Sequence, residues 1–115
     1  MAFALKTEEC GGVFVLILNG YVDKKAADTI KDSISARVKT GSRRFVLDFA
    51  MAPLVNSSAL AELIDLVSQC ITDTSLRYVF CGLSQACRFS FNTVGIFLYV
   101  KDTQTRLDAE AAAAA

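Results

Sequence analysis

The chain has 115 residues, 53% of them apolar and 21% charged, which suits one domain with one core and excludes a disordered segment. Its twelve basic and twelve acidic side chains cancel, so the cationic surplus of a nucleic-acid or anionic-membrane binder is missing and the expected partner is a protein. The longest apolar run, Val13 to Leu18, has six residues, against roughly twenty needed to cross a bilayer; no basic leader with a long apolar stretch is visible, and a cytoplasmic protein without a membrane span is expected.

Phe3 to Glu9 alternates weakly, Gly11-Gly12 supplies a turn, and Val13 to Leu18 reads as a strand apolar on both faces, hence in the middle of a sheet. Ala27, Ile30, Ile34 and Val38 recur at helical spacing, with Lys24, Asp28, Lys31, Asp32, Ser35 and Lys39 on the other side. That helix stops near Gly41. Arg43 to Phe49 is a second β-rich run whose two leading arginines read as a solvated edge, and Pro53 forces the chain to turn. Asn56-Ser57-Ser58 precedes Leu60, Leu63, Ile64, Val67 and Ile71, so a helix begins at this triplet and buries the stripe that follows.

Leu76 to Cys81 reads as a third buried strand. Ser84 is placed to cap another helix, on which Cys87, Phe91 and Val94 share one face while Phe89 points to solvent, and Gly95 is placed to end it. Phe97 to Val100 reads as the last strand, and residues 108–115, alanine-rich, have high helix propensity but nothing apolar enough to dock. The expected fold class is α/β: a mainly parallel sheet with an N-terminal antiparallel hairpin and alternating helices, one domain over residues 1–107 with an Ala-rich tail at 108–115. A monomer is expected, with weak dimerisation allowed.

Cys10, Cys70, Cys81 and Cys87 suffice for two disulfides by count, but a chain this rich in aliphatics needs no staples, and reduced core thiols are expected. There is no CxxC spacing and no histidine, so neither a metal site nor a cofactor is expected. Ser57 likewise lacks a histidine to activate it and no GxxxxGK loop is present, which argues against an enzyme. At a helix start Ser57 has two readings. Its hydroxyl accepts a bond from a free backbone N–H as a cap, or it carries a phosphate, which the helix dipole and free N–H groups tolerate.

Three segments carry a resemblance: Leu18-Asn19-Gly20-Tyr21-Val22-Asp23; Val46-Leu47-Asp48-Phe49 through Val55-Asn56-Ser57-Ser58-Ala59-Leu60; and Gly82-Leu83-Ser84 leading to Phe91 and Gly95. In order and spacing the sequence resembles the STAS domain of bacterial anti-sigma-factor antagonists and of the cytoplasmic ends of sulfate transporters. The resemblance implies Ser57 as phosphoacceptor, Ser58 as a secondary candidate, and a partner-binding face of Asp23, Asn56, Ser57, Ser58 and Ala59. Asn56 stands where that family usually has aspartate, and Ala59 where it usually has glycine.

The resemblance also implies partner switching: the unphosphorylated protein binds an anti-sigma factor, a serine protein kinase with an ATP-binding domain, and releases it once phosphorylated. A serine phosphatase would reverse the modification. The rival reading is a constitutive interaction or scaffold subunit of a sensory assembly or of a lipid-transport ATPase.

Overall fold

A computed structural model describes residues 2–115. The elements run β1 (Ala4–Cys10), β2 (Val13–Asn19), α1 (Lys24–Lys39), β3 (Arg44–Met51), α2 (Ser57–Val67), β4 (Arg77–Cys81), α3 (Gln85–Thr93), β5 (Lys101–Thr103) and α4 (Arg106–Ala114). The strands form one sheet in sequence order, with β1 antiparallel to β2 and every later neighbour parallel. A parallel sheet that always advances to the same side through right-handed crossovers places all its crossover helices on one face. That face carries α1, α2 and α3.

Side-chain alternation fits the two faces to different covers. Toward α1 to α3 the strands turn their large residues: Phe14, Leu16 and Leu18 from β2, Phe45, Leu47 and Phe49 from β3, Tyr78 and Phe80 from β4. Toward the other face they turn Val13, Val15, Val46, Val79 and Cys81. The both-face apolar reading of β2 is explained by this arrangement, since each face has a layer of its own.

The second layer is α4, and here the expectation of an undocked tail is corrected. Residues 108–114 belong to a helix whose Ala109 and Ala113 are fully buried on the valine face. With all three crossover helices on the opposite side, this face would otherwise meet water. Its small, branched residues leave a shallow surface on which an alanine stripe sits at close range, so no large side chain is needed.

Three smaller expectations also change. Phe97 to Val100 is not a strand: Ile96–Leu98 forms a 3-10 turn after Gly95, which has φ +79°, and β5 begins at Lys101. The buried residues there, Ile96 and Val100, lie four apart, a helical period, while Leu98 is exposed. Ile71 is 63% exposed and Leu66 is buried instead, because α2 tightens into a 3-10 turn over Ser68–Ile71. There each residue advances about 120° rather than 100°, which carries Ile71 off the stripe. Val94 is also exposed, since α3 ends at Thr93.

Phe89 is 75% exposed, as the helical spacing predicts. Phe49 packs on Phe80 and Phe91 with ring centroids 5.1 and 5.7 Å away, fixing α3 to the sheet. The four cysteines are free thiols; Cys81 and Cys87 are buried, Cys10 and Cys70 half-buried.

The placement of α2 gives a direct check. Leu66→Ala is expected to cost about 2–5 kcal/mol in urea unfolding, whereas Ile71→Ala should stay within about 0.5 kcal/mol of wild type.

Candidate functional site

Beyond the ends of β2 and β3 the chain makes one further parallel bridge, Val22 to Val55. Val22 N–H donates to the Leu54 carbonyl at 3.0 Å and Asn56 N–H donates to the Val22 carbonyl at 3.0 Å. Both valines are apolar and Val22 is fully buried, so the bridge sits on the core. Asp23 and Asn56 are the next residues, one strand spacing of roughly 5 Å apart, and each starts a helix. Asp23 Oδ1 accepts from Ala26 N–H at 2.8 Å to cap α1, and Asn56 Oδ1 accepts from Ala59 N–H at 2.8 Å to cap α2.

The cap of α2 is therefore Asn56, which removes the capping alternative for Ser57. Ser57 and Ser58 occupy the first two helical positions; both are exposed and neither hydroxyl has a hydrogen-bond partner among the described residues. Their backbone N–H groups fall among the four that a helix start leaves unpaired. The positive ends of α1 and α2 meet at this corner.

Ala59 is corrected. It is fully buried, because three residues after the cap the helix has turned it onto the core stripe of Leu60 and Leu63. Its methyl group faces inward and cannot touch a partner.

The loop before α2 is held from the β4 side as well. Ser84 Oγ donates to the Pro53 carbonyl at 2.8 Å while accepting from Cys87 N–H at 3.1 Å, so one hydroxyl caps α3 and ties it to the loop. The Cys87 thiol also reaches the Pro53 carbonyl, at 3.2 Å. Gly82 has φ +69°, and a Cβ there would lie 2.8 Å from the Ala50 backbone nitrogen. Asp48 accepts from Ala50 N–H at 3.0 Å, a local structural bond.

Tyr21, Met51, Pro53 and Leu54, on or next to the two loops that the Val22–Val55 bridge joins, are exposed, Met51 at 58% and Leu54 at 59%. Sequence reasoning missed this apolar rim. Its signal is the segment Met51-Ala52-Pro53-Leu54, apolar where a turn between strand and helix is ordinarily polar. Beside it a recess of about 320 Å³ is lined by Phe3, Tyr21, Asp23, Lys25 and Thr29.

Arg43 and Arg44 lie at the opposite end of β3, an eight-residue strand about 25 Å long. Arg43 is occupied with the Val38 and Ser42 carbonyls and with Asp73, far from any phosphate on Ser57. Among the described residues no group of three or more Cys, Asp or Glu is placed to hold a metal ion, and no helix is long and apolar enough to cross a membrane.

A family model for the STAS domain matches residues 4–112. The chain belongs to the STAS domain family. Several solved structures share its fold. A protein of Thermotoga maritima superposes with a TM-score of 0.84 at 12% identity, covering 96% of this chain and 95% of its own. An anti-sigma factor antagonist from Mycobacterium paratuberculosis gives 0.78 at 19% identity over 99% and 96%. The Bacillus cell fate determinant SpoIIAA in its phosphorylated form gives 0.72 at 20% identity over 95% and 98%. At these identities the likeness is one of fold. Curated protein sequences contain no match to this STAS domain.

Because Asn56 caps α2 and the Ser57 hydroxyl bonds to nothing, Asn56→Ala should lose about 1 kcal/mol in denaturant melts while Ser57→Ala loses only a few tenths. Equal losses would place Ser57 in the cap.

Proposed function

We propose that this STAS domain is a cytoplasmic anti-sigma factor antagonist, not an enzyme, that binds an anti-sigma factor with an ATP-binding serine kinase domain and lets go when Ser57 is phosphorylated. The observation that carries the reading is the state of Ser57: exposed, unbonded, and placed by the Asn56 cap at the first helical position of α2. A kinase reaches such a hydroxyl without breaking any bond of the fold. Ser58 is the secondary acceptor, exposed but one position further into the helix.

A phosphate at Ser57 adds roughly 1.5 to 2 negative charges beside unpaired N–H groups at the N-terminus of α2, which favour it. The fold is therefore little affected. The contact is affected much more, because the loops at this corner expose the apolar residues Tyr21, Met51, Pro53 and Leu54. A partner that covers this apolar rim strips water from the phosphate, and an unpaired buried charge costs several kcal/mol. Asp23, at the same corner, adds to the repulsion of any further anion and defines one edge of the contact, with Asn56 and Ser58 beside it. A serine phosphatase restores the binding form.

Titration of the anti-sigma kinase with variants tests this. Ser57→Ala should bind like wild type and resist phosphorylation, with phosphosite mapping placing the label of the wild type on Ser57. Ser57→Glu should melt within about 1 kcal/mol of wild type yet bind at least about tenfold more weakly. Wild-type affinity for Ser57→Glu, or equal labelling of Ser57→Ala, would contradict the switch and favour the constitutive scaffold.

A further inference from the structure

The sheet has two edges, and they differ in kind. At one, β5 is only three residues long, Lys101–Thr103, and Arg88 of α3 holds its Asp102 at 2.8 Å. At the other, β1 runs for seven residues, pairs with β2 at every position without a bulge, and contains no proline. Arg106 on Glu8 and Arg37 on Glu9 lie over its two faces and bond to side chains only. Among the described residues no backbone group of Ala4–Cys10 is bonded to anything except β2. Alternate N–H and C=O groups of this strand therefore face outward, as a template for one more strand.

Charge selects the strand that fits. Ala4, Lys6, Glu8 and Cys10 stand on the face of Val13 and Val15, and Leu5, Thr7 and Glu9 on the face of Phe14 and Leu16. A second copy added antiparallel about a two-fold axis normal to the sheet keeps these faces in common, so only residues of one face can stand opposite each other. With the axis at Thr7 the whole strand is paired, and each Lys6 stands opposite Glu8 of the second copy. With the axis at Lys6 or at Glu8 the overlap shortens and like charges meet, lysine on lysine or glutamate on glutamate. The Lys6 side chain is 75% exposed and its ammonium already lies 3.7 Å from Glu8 of its own strand, in the row where the cross-pairs form.

We propose that β1 is a self-association edge, on which two copies join β1 to β1 antiparallel about Thr7 to make one continuous sheet. About six to eight main-chain hydrogen bonds close the junction, two for each hydrogen-bonded pair of residues, and two Lys6–Glu8 pairs fix its register. The two-fold axis reverses strand direction, so the Ser57 corners of the two copies point to opposite ends of the dimer and both stay open. The dimer is thus bivalent, whatever binds at Ser57. Its interface is small, below about 1,200 Å², which places the association in the range of about 0.01–1 mM protein.

Sedimentation equilibrium of the full chain over that range reads the association. Wild type should pass from monomer to dimer. Lys6→Glu should raise the dissociation constant at least about tenfold, because both cross-strand pairs turn repulsive, and should melt with wild type, since Lys6 is exposed and bonded only to its neighbour on the strand. The register is read by Thr7→Cys, which sets the two introduced thiols opposite each other across the axis. Under mild oxidation this variant should form a disulfide-linked dimer at least about tenfold faster than wild type, whose own four cysteines serve as the control. A monomer at every concentration, a dimer that Lys6→Glu leaves intact, or cross-linking of Thr7→Cys no faster than wild type would overturn the edge-to-edge pairing.

Discussion

A parallel bridge between Val22 and Val55 brings the two loops of the functional corner side by side. The β2–β3 register shifts between Ile17 and Asn19, so the two strands are already losing their regular pairing when they reach the loops. Without the bridge the loop before α1 would keep only the Gly20 N–H to Met51 carbonyl bond to its neighbour, and the loop before α2 only that bond and its ties from Ser84 and Cys87. With it, the starts of α1 and α2 lie one strand spacing apart, and the helices then pack along their length, joined by Lys31 to Glu62 and Asp65. Two helix N-termini side by side make a corner where negative charge is tolerated and where the next exposed groups are serine hydroxyls.

The same topology that builds the corner leaves a debt on the far side of the sheet. Crossovers of one hand and one direction leave the valine face without a helix until the chain returns with α4. The corner is therefore backed by interlocked aromatic and aliphatic side chains, whereas the valine face is closed by small residues and ion pairs. Charge added at Ser57 meets a rigid support from Pro53, Ser84 and the Phe49–Phe80–Phe91 cluster. The proposed response to phosphorylation is thus a change of surface in a fixed frame.

Much of this was legible in the residues. Val13 to Leu18 is apolar at every position because both its faces are covered, and Asn56-Ser57-Ser58 announces a helix start by its polarity before an apolar stripe. Which of the three residues caps was not legible, since asparagine and serine cap about equally well; only the backbone gives the bond to Asn56. β5 was missed because Lys101-Asp102-Thr103 carries no apolar pattern, its place being set by pairing with Val79 to Cys81. The docking of α4 was missed because alanine signals helix and not burial, and what makes it a contact is the shallow valine surface it meets. The burial of Ala59 was readable from its spacing to Leu63. The exposure of Met51 and Leu54 was not, because an apolar residue in a loop is as often covered as open.

The central claim is that a phosphate on Ser57 acts on the contact and leaves the fold alone. Its most direct test is calorimetric titration of the anti-sigma kinase with protein phosphorylated to completion on Ser57, beside the unmodified protein. The account predicts binding weaker by at least about tenfold, from a protein of unchanged fold. Equal affinity of the two forms would contradict it.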